Sequence, residues 1–132
     1  MTTQRTRSTQ SQIRRMVKRI VTRFQPDRVI LFGSRARGDA RPDSDVDLLV
    51  VMPTGPSKRE AQLDVRSALH DIRMPVDVIV SRPEEYAWRK DVVGTIEWPA
   101  SREGKILYAR SPRQQVGSRA NHVEHHARLE VA

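Results

Sequence analysis

The 132-residue sequence contains no cysteine, so it can form neither disulfide bonds nor thiolate metal sites. It also lacks any apolar run approaching the ~18 residues that a membrane-spanning helix needs. A chain of this length can bury roughly two thirds of the surface that its unfolded form exposes. We therefore expect one cytoplasmic domain with a modest core and no membrane segment.

Acidic residues are almost absent from the amino-terminal segment. Residues 1–28 carry eight Lys/Arg and one Asp/Glu. Residues 29–109 carry twelve Lys/Arg and thirteen Asp/Glu, and residues 110–132 carry four Lys/Arg and two Asp/Glu. The net charge of +8 is therefore concentrated in the first segment, where it could meet nucleic acid or an acidic protein. A solvated helix face is the simpler interpretation of the same charges.

Apolar residues at helical spacing, preceded by capping signatures, predict four helices. The capping boxes are Thr9–Gln12 and Ser57–Glu60, and residues 81–84 form a third signature with proline in the first turn. The polar residues 2–8 are expected to be loose. The predicted helices span about 9–24, 57–72, 81–90 and 95–102, and the last of them ends at Gly104.

Short apolar runs between turn residues predict strands at 28–32, 46–51 and 75–80, with a candidate edge strand at 105–108. A strand, helix and strand in succession favours a parallel pair of the second and third strands. The predicted fold is thus α/β (α+β), a small mixed sheet with flanking helices. Periodicity is lost after Ala109, so we expect domain 1–109 and a flexible basic tail, 110–132, containing three histidines.

Three aspartates are placed to form one site. Asp45 and Asp47 are two residues apart and so project from one face of a strand, and Asp77 lies in the strand expected beside it. Like charges brought together favour a bound cation, and an all-oxygen ligand set points to Mg²⁺ or Mn²⁺. The alternatives are turn-capping roles for the first two aspartates and an arginine partner for Asp77.

The turn after the first strand has the composition of a phosphate site. Gly33 lets the backbone approach a phosphate, and Ser34 adds a hydroxyl donor beside backbone N–H groups. Arg35 and Arg37 could contribute charge to the same phosphates or remain solvated loop residues. This is not a Walker A loop, because Asp39 stands where that motif requires lysine.

The pattern Gly33-Ser34, ten residues, Asp45-x-Asp47 and a later Asp77 resembles the DNA polymerase β nucleotidyltransferase superfamily. Within it, the chain resembles the minimal nucleotidyltransferase (MNT) group over about Ile13–Tyr108, which includes the sequence GTIEWPASREGKILY. The resemblance implies that the chain adopts a polymerase β-like palm fold and that it is an enzyme. It further implies metal-binding roles for the residue set Asp45, Asp47 and Asp77, a base role for Asp77, and triphosphate binding by the set Gly33, Ser34 and Arg37.

That resemblance implies a Mg²⁺-dependent transfer of AMP, or another NMP, from ATP or another NTP to a macromolecular hydroxyl. Many MNT proteins are antitoxins of HEPN-family RNase toxins, and related antitoxins transfer AMP to a toxin tyrosine. Since the chain holds no second helical domain, we expect a partner to complete the site. The alternatives are a non-catalytic antitoxin that acts by stoichiometric binding and an RNA-binding module that uses the basic amino-terminal segment.

Overall fold

A computed structural model describes residues 2–111 and 127–129. The helices are α1 (Thr2–Phe24), α2 (Ser34–Arg37), α3 (Lys58–Ala68), α4 (Pro83–Arg89) and α5 (Glu97–Glu103). The strands are β1 (Arg28–Phe32), β2 (Val46–Val51), β3 (Val76–Ser81), β4 (Lys105–Arg110) and β5 (Ala127–Leu129). No helix in these ranges is long and apolar enough to cross a membrane.

The five strands form one mixed sheet in the order β3-β2-β1-β4-β5. Strands β2 and β3 run parallel, as the crossover through α3 predicted, and the other three pairs are antiparallel. The predicted fold, a small mixed sheet with flanking helices, is confirmed. The predicted tail overlaps the described residues only at 110–111 and in β5, so its domain boundary and its histidines stay predictions.

Helices cover both faces of the sheet. On one face, α1 and α3 contribute buried residues to a cluster that includes Val46, Leu48 and Val50 of β2. On the other face, α4 and α5 pack through Tyr86 and Ala100 against a cluster that includes alternate residues of β1 and β2. Because side chains alternate along a strand, Asp47 lies on the α4/α5 side of the sheet, with Leu49 and Val51.

Helices α1 and α3 and strand β4 differ most from the prediction. Helix α1 begins at Thr2 and not at 9, so the proposed cap at Thr9 and the loose segment 2–8 were both wrong. Residues 2–8 hold neither glycine nor proline, and nothing in them stops the helix. Helix α3 ends at Ala68 and not at 72, and β4 pairs with β1 and β5, so it is an inner strand of the described sheet.

Two capping predictions had different outcomes. Ser57 caps α3 as predicted, and its hydroxyl accepts from the backbone N–H of Glu60 at 3.1 Å. Arg82, rather than Ser81, precedes the first turn of α4, and Ser81 is the last residue of β3. The Ser81 hydroxyl donates to Glu97 at 2.8 Å, a tertiary hydrogen bond that local sequence does not reveal.

Candidate active site

The glycine turn and a carboxylate are in direct contact at the end of β1. Phe32, the last residue of β1, is paired with Asp47 of β2, so Gly33 lies beside that aspartate. Gly33 has φ +78° and ψ −159°, a conformation that is almost restricted to glycine. A Cβ atom at Gly33 would lie 2.2 Å from Oδ2 of Asp47, so the close approach itself requires glycine. The glycine turn and the Asp47 carboxylate therefore lie together at one point of the structure.

Asp47 and Asp77 occupy partner positions in the parallel pair of β2 and β3. Asp45 lies immediately before β2 and is exposed. Burial raises the pKa of Asp47. The negative charges of Asp77 and Asp45 raise this pKa further, and the positive charge of Arg37 lowers it. The three aspartates predicted to converge therefore interact electrostatically. Their negative charge is what a bound cation would relieve.

The side chains are nevertheless not arranged as a complete metal site. No group of three or more His, Asp or Glu side chains within 2–111 and 127–129 is placed to hold a metal ion. Arg66 of α3 donates to Oδ1 of Asp77 at 2.8 Å and to the carbonyl of Val78 at 3.3 Å. Asp77 thus has the arginine partner considered from the sequence, although its side chain is 50% exposed rather than buried. The carboxylate oxygens suit Mg²⁺ or Mn²⁺ chemically.

Sequence reasoning missed Arg66 as a neighbour of the site. Helix α3 covers the opposite face of the sheet from Asp77, and Arg66 reaches the aspartate around β3, which is an edge of the sheet. The two residues are eleven apart on different elements, a spacing that carries no periodic signal. Only the packing of the crossover brings them together.

The two arginines of the glycine turn have different environments. Arg35 donates to the carbonyl of Ser44 from Nε at 3.1 Å and from Nη2 at 2.7 Å, which holds the loop leading to Asp45. Arg37 is exposed and contacts Asp39 at 3.4 Å and Glu103 at 3.8 Å. Arg35 therefore supports the loop, whereas the Arg37 guanidinium is accessible and acts electrostatically on Asp47.

Ser34 begins the single turn of α2, directly after Gly33. The backbone N–H groups of Ala36 and Arg37 donate to the carbonyl of Gly33 at 3.0 and 3.1 Å. The N–H groups of Ser34 and Arg35 donate to no backbone carbonyl in the described residues. Such free amides at a glycine turn are the groups that bind phosphate oxygens.

Comparison with known proteins gives a match over most of the chain. The family model described as "Nucleotidyltransferase domain" matches residues 13–103. A protein from Methanocaldococcus jannaschii is 42% identical over 55 residues, and its name describes it as an inferred protein adenylyltransferase. That alignment covers 42% of this chain and 54% of the relative, so the chain spans about half the length of this curated relative.

Two solved structures resemble the fold. An inferred nucleotidyltransferase from Sulfolobus solfataricus has 27% sequence identity and a TM-score of 0.52, with 77% of this chain and 86% of that chain covered. A toxin–antitoxin structure with AMP-PNP has 21% identity and a TM-score of 0.46, with 81% and 78% covered. The first supports the nucleotidyltransferase fold, and the second is too distant to bear on function.

Proposed function

Since the chain belongs to the nucleotidyltransferase domain family, we propose that it transfers AMP from ATP to a hydroxyl group of a protein acceptor. The observation that carries the proposal is the contact between Gly33 and Asp47, at a position where Asp47 is also in register with Asp77. A phosphate-binding turn and paired carboxylates at one point are the parts that phosphoryl transfer needs.

The proposed reaction exchanges a phosphoanhydride bond of ATP for a phosphoester bond to the acceptor. The acceptor oxygen bonds to the α-phosphorus of ATP, and the bond from that phosphorus to the bridging oxygen breaks. Pyrophosphate leaves with the bonding electrons, and the acceptor proton passes to a carboxylate, for which we propose Asp77. Arg66 binds Oδ1 of Asp77, so Oδ2 is the oxygen that would take the proton.

The remaining site residues bind and orient the nucleotide in this proposal. Gly33 and Ser34 hold the triphosphate through free backbone amides and a hydroxyl, and the exposed Arg37 neutralises part of its charge. The set Asp45, Asp47 and Asp77 would hold Mg²⁺ or Mn²⁺. When bound, the cation supplies charge neutralisation at the reacting phosphate.

For the acceptor, we propose a HEPN-type helical toxin, which would make this chain an antitoxin. The support is the MNT resemblance, together with the protein adenylyltransferase name of the M. jannaschii relative. A protein acceptor would also complete a site whose Asp45 and Arg37 are exposed. The non-catalytic alternative requires only binding of the toxin and no chemistry at the aspartates.

The test uses ATP radiolabelled at either the α- or the γ-phosphate, with Mg²⁺ and the candidate toxin. Label should reach the toxin from the α-position alone, and Asp47→Asn should abolish the transfer. Asp43→Asn is the matched control, since Asp43 is an exposed loop acid of the same segment. If Asp45→Ala/Asp47→Ala still protects cells fully from the toxin, protection is stoichiometric and the catalytic proposal fails.

A second candidate function is RNA binding by α1. This helix contains no acidic residue, and its side chains Arg14, Arg15, Lys18 and Arg23 are exposed. A polar, cationic helix face suits phosphate contacts. Affinity for a fluorescent single-stranded RNA should fall steeply between ~50 and ~200 mM salt, and Arg14→Gln/Lys18→Gln should reduce the slope. A slope unchanged by these substitutions would exclude α1 as the surface.

A further inference from the structure

The outer edge of β3 is covered by side chains of α3. Strand β3 ends the sheet on one side, so its outer backbone groups have no neighbouring strand within the residues that the structure describes. The carbonyls of Pro75 and Ser81 accept from β2 and from the residue after it. Because backbone groups alternate in direction along a strand, those of Val78 and Val80 face outward. Such an edge pairs readily with other chains unless something blocks it.

Two side chains one helical turn apart occupy this edge. Oε1 of Gln62 accepts from the backbone N–H of Val80 at 2.9 Å, and Nη2 of Arg66 donates to the carbonyl of Val78 at 3.3 Å. Both side chains therefore take the place of a neighbouring strand. The same Nη2 also donates to Oδ1 of Asp77 at 2.8 Å. Arg66 thus links the edge of the sheet to the candidate site, whereas the Gln62 hydrogen bond serves the edge.

Arg66 reaches Asp77 from the side opposite Asp47. The two aspartates are partners in register, so their side chains project from the same face of the sheet. Asp47 lies on the inner side of Asp77, and the guanidinium, bonded to the outward carbonyl of Val78, lies on its outer side. The Arg66 bond therefore draws the Asp77 carboxylate away from Asp47. In agreement, residues 2–111 and 127–129 contain no three acidic or histidine side chains placed to hold a metal ion.

The ion pair of Arg66 and Asp77 is weak enough to be exchanged. Their side chains are 44% and 50% exposed, and an ion pair so open to water contributes little to stability. A divalent cation beside Asp77 would meet the positive charge of the guanidinium, and like charges a few ångströms apart repel even in water. Arg66 and a cation therefore compete for the same carboxylate.

We propose that Arg66 is a positioning residue that withholds Asp77 and so lowers the affinity of the candidate site for a divalent cation. The proposal rests on the proposed function, because the cation concerned is the Mg²⁺ or Mn²⁺ of that site. Arg66 acts through Asp77, so its effect depends on that carboxylate. If Arg66 only covered the edge of β3, as Gln62 does, its removal would leave cation binding unchanged.

The test measures Mn²⁺ binding to the full chain without nucleotide, by electron paramagnetic resonance of the free ion at low ionic strength. Arg66→Met removes both the charge and the bond to Asp77, and it should tighten the Mn²⁺ Kd at least about fivefold. Gln62→Met is the matched control, since it removes the other hydrogen bond to the edge of β3, and it should change the Kd less than about twofold. Damage to the fold would weaken Mn²⁺ binding, so a tighter Kd identifies removal of the restraint.

A second pair of variants separates the restraint on Asp77 from a general effect of charge. In an Asp77→Asn background, Arg66→Met should change the Mn²⁺ Kd less than about twofold, because the withheld ligand is absent. Equal tightening in both backgrounds would overturn the proposal. An unchanged or weaker Kd in Arg66→Met alone would overturn it as well.

This binding assay contains neither acceptor nor ATP, so its result is independent of label transfer. If Arg66→Met tightens the Kd but the wild type labels no acceptor, the restraint by Arg66 stands and the catalytic proposal fails. If the wild type transfers AMP while Arg66→Met leaves the Mn²⁺ Kd unchanged, the proposed function stands and the inference about Arg66 fails.

Discussion

Replacing Gly33 by alanine should destabilise the protein more than the same change at any open glycine. The backbone at Gly33 has φ +78° and ψ −159°, which costs a residue with a side chain roughly 1–3 kcal/mol. The added methyl would also lie 2.2 Å from Oδ2 of Asp47, so the carboxylate or β2 must move. Overpacking of this kind typically costs about 1–3 kcal/mol.

The matched control is Gly38→Ala. Gly38 also has a positive φ, +92°, but nothing lies within 4 Å of the position where its Cβ would be. That substitution should lower the free energy of unfolding by only about 1–2 kcal/mol, the cost of placing alanine in a left-handed backbone conformation. The free energy of unfolding should therefore fall by roughly 2–6 kcal/mol in Gly33→Ala, and by at least about 1 kcal/mol less in Gly38→Ala.

Urea unfolding followed by tryptophan fluorescence measures both variants against the wild type. A change in the midpoint with an unchanged m value identifies a loss of native-state stability. If the two variants unfold within about 0.5 kcal/mol of each other, Gly33 does not contact Asp47 as described and the geometry of the site is wrong.

Three further predictions follow from single contacts. Burial raises the pKa of Asp47, and the negative charges of Asp77 and Asp45 raise it further. The folded protein therefore binds a proton at Asp47 more tightly than the unfolded chain does, and ionisation of Asp47 lowers the stability of the fold. Asp47→Asn should therefore raise the urea midpoint of metal-free protein at pH 7, and the gain should vanish as the pH falls below ~3.9; no gain at pH 7 would contradict this. Arg66→Met breaks a half-exposed ion pair and should cost less than about 1 kcal/mol in the same assay, and a loss above about 2 kcal/mol would be inconsistent with that exposure. Ser57→Ala removes the cap of α3 and should lower the free energy of unfolding by about 1 kcal/mol, whereas Ser57→Asn should restore most of it.

The strands could be predicted closely because their ends are marked by turn residues. Apolar runs between Asp27 and Gly33, and between Asp45 and the turn that begins at Pro53, predicted β1 and β2 with the bounds that the structure shows. The parallel pairing of β2 and β3 followed from the succession of strand, helix and strand. These features depend on local sequence and simple topology.

Features set by tertiary contacts were not predictable in the same way. Thr9 has the sequence of a helix cap, but the helix continues through it because no breaker precedes it. Ser81 ends β3 and does not cap α4, and its hydroxyl bonds Glu97, sixteen residues later. β5, with three residues, is too short for a periodic signal.

The candidate site likewise combines features that residue spacing predicts with features that depend on tertiary packing. Strand spacing predicted that Asp45, Asp47 and Asp77 converge. Asp47 and Asp77 are in register, and burial together with the charges of Asp77 and Asp45 raises the pKa of Asp47. The ion pair of Asp77 with Arg66 depends on how α3 packs beside β3, which spacing cannot reveal. The catalytic, phosphate-binding and metal-binding roles of these residues remain predictions.

The central claim is that this chain's aspartates catalyse transfer of a nucleotide to a protein. Intact-mass spectrometry of the acceptor, after incubation with ATP and Mg²⁺, tests it most directly. Wild type and Asp43→Asn should each add the mass of one AMP group to the acceptor, and Asp47→Asn should add none. An acceptor left unmodified by the wild type, or modified equally by Asp47→Asn, would contradict the claim.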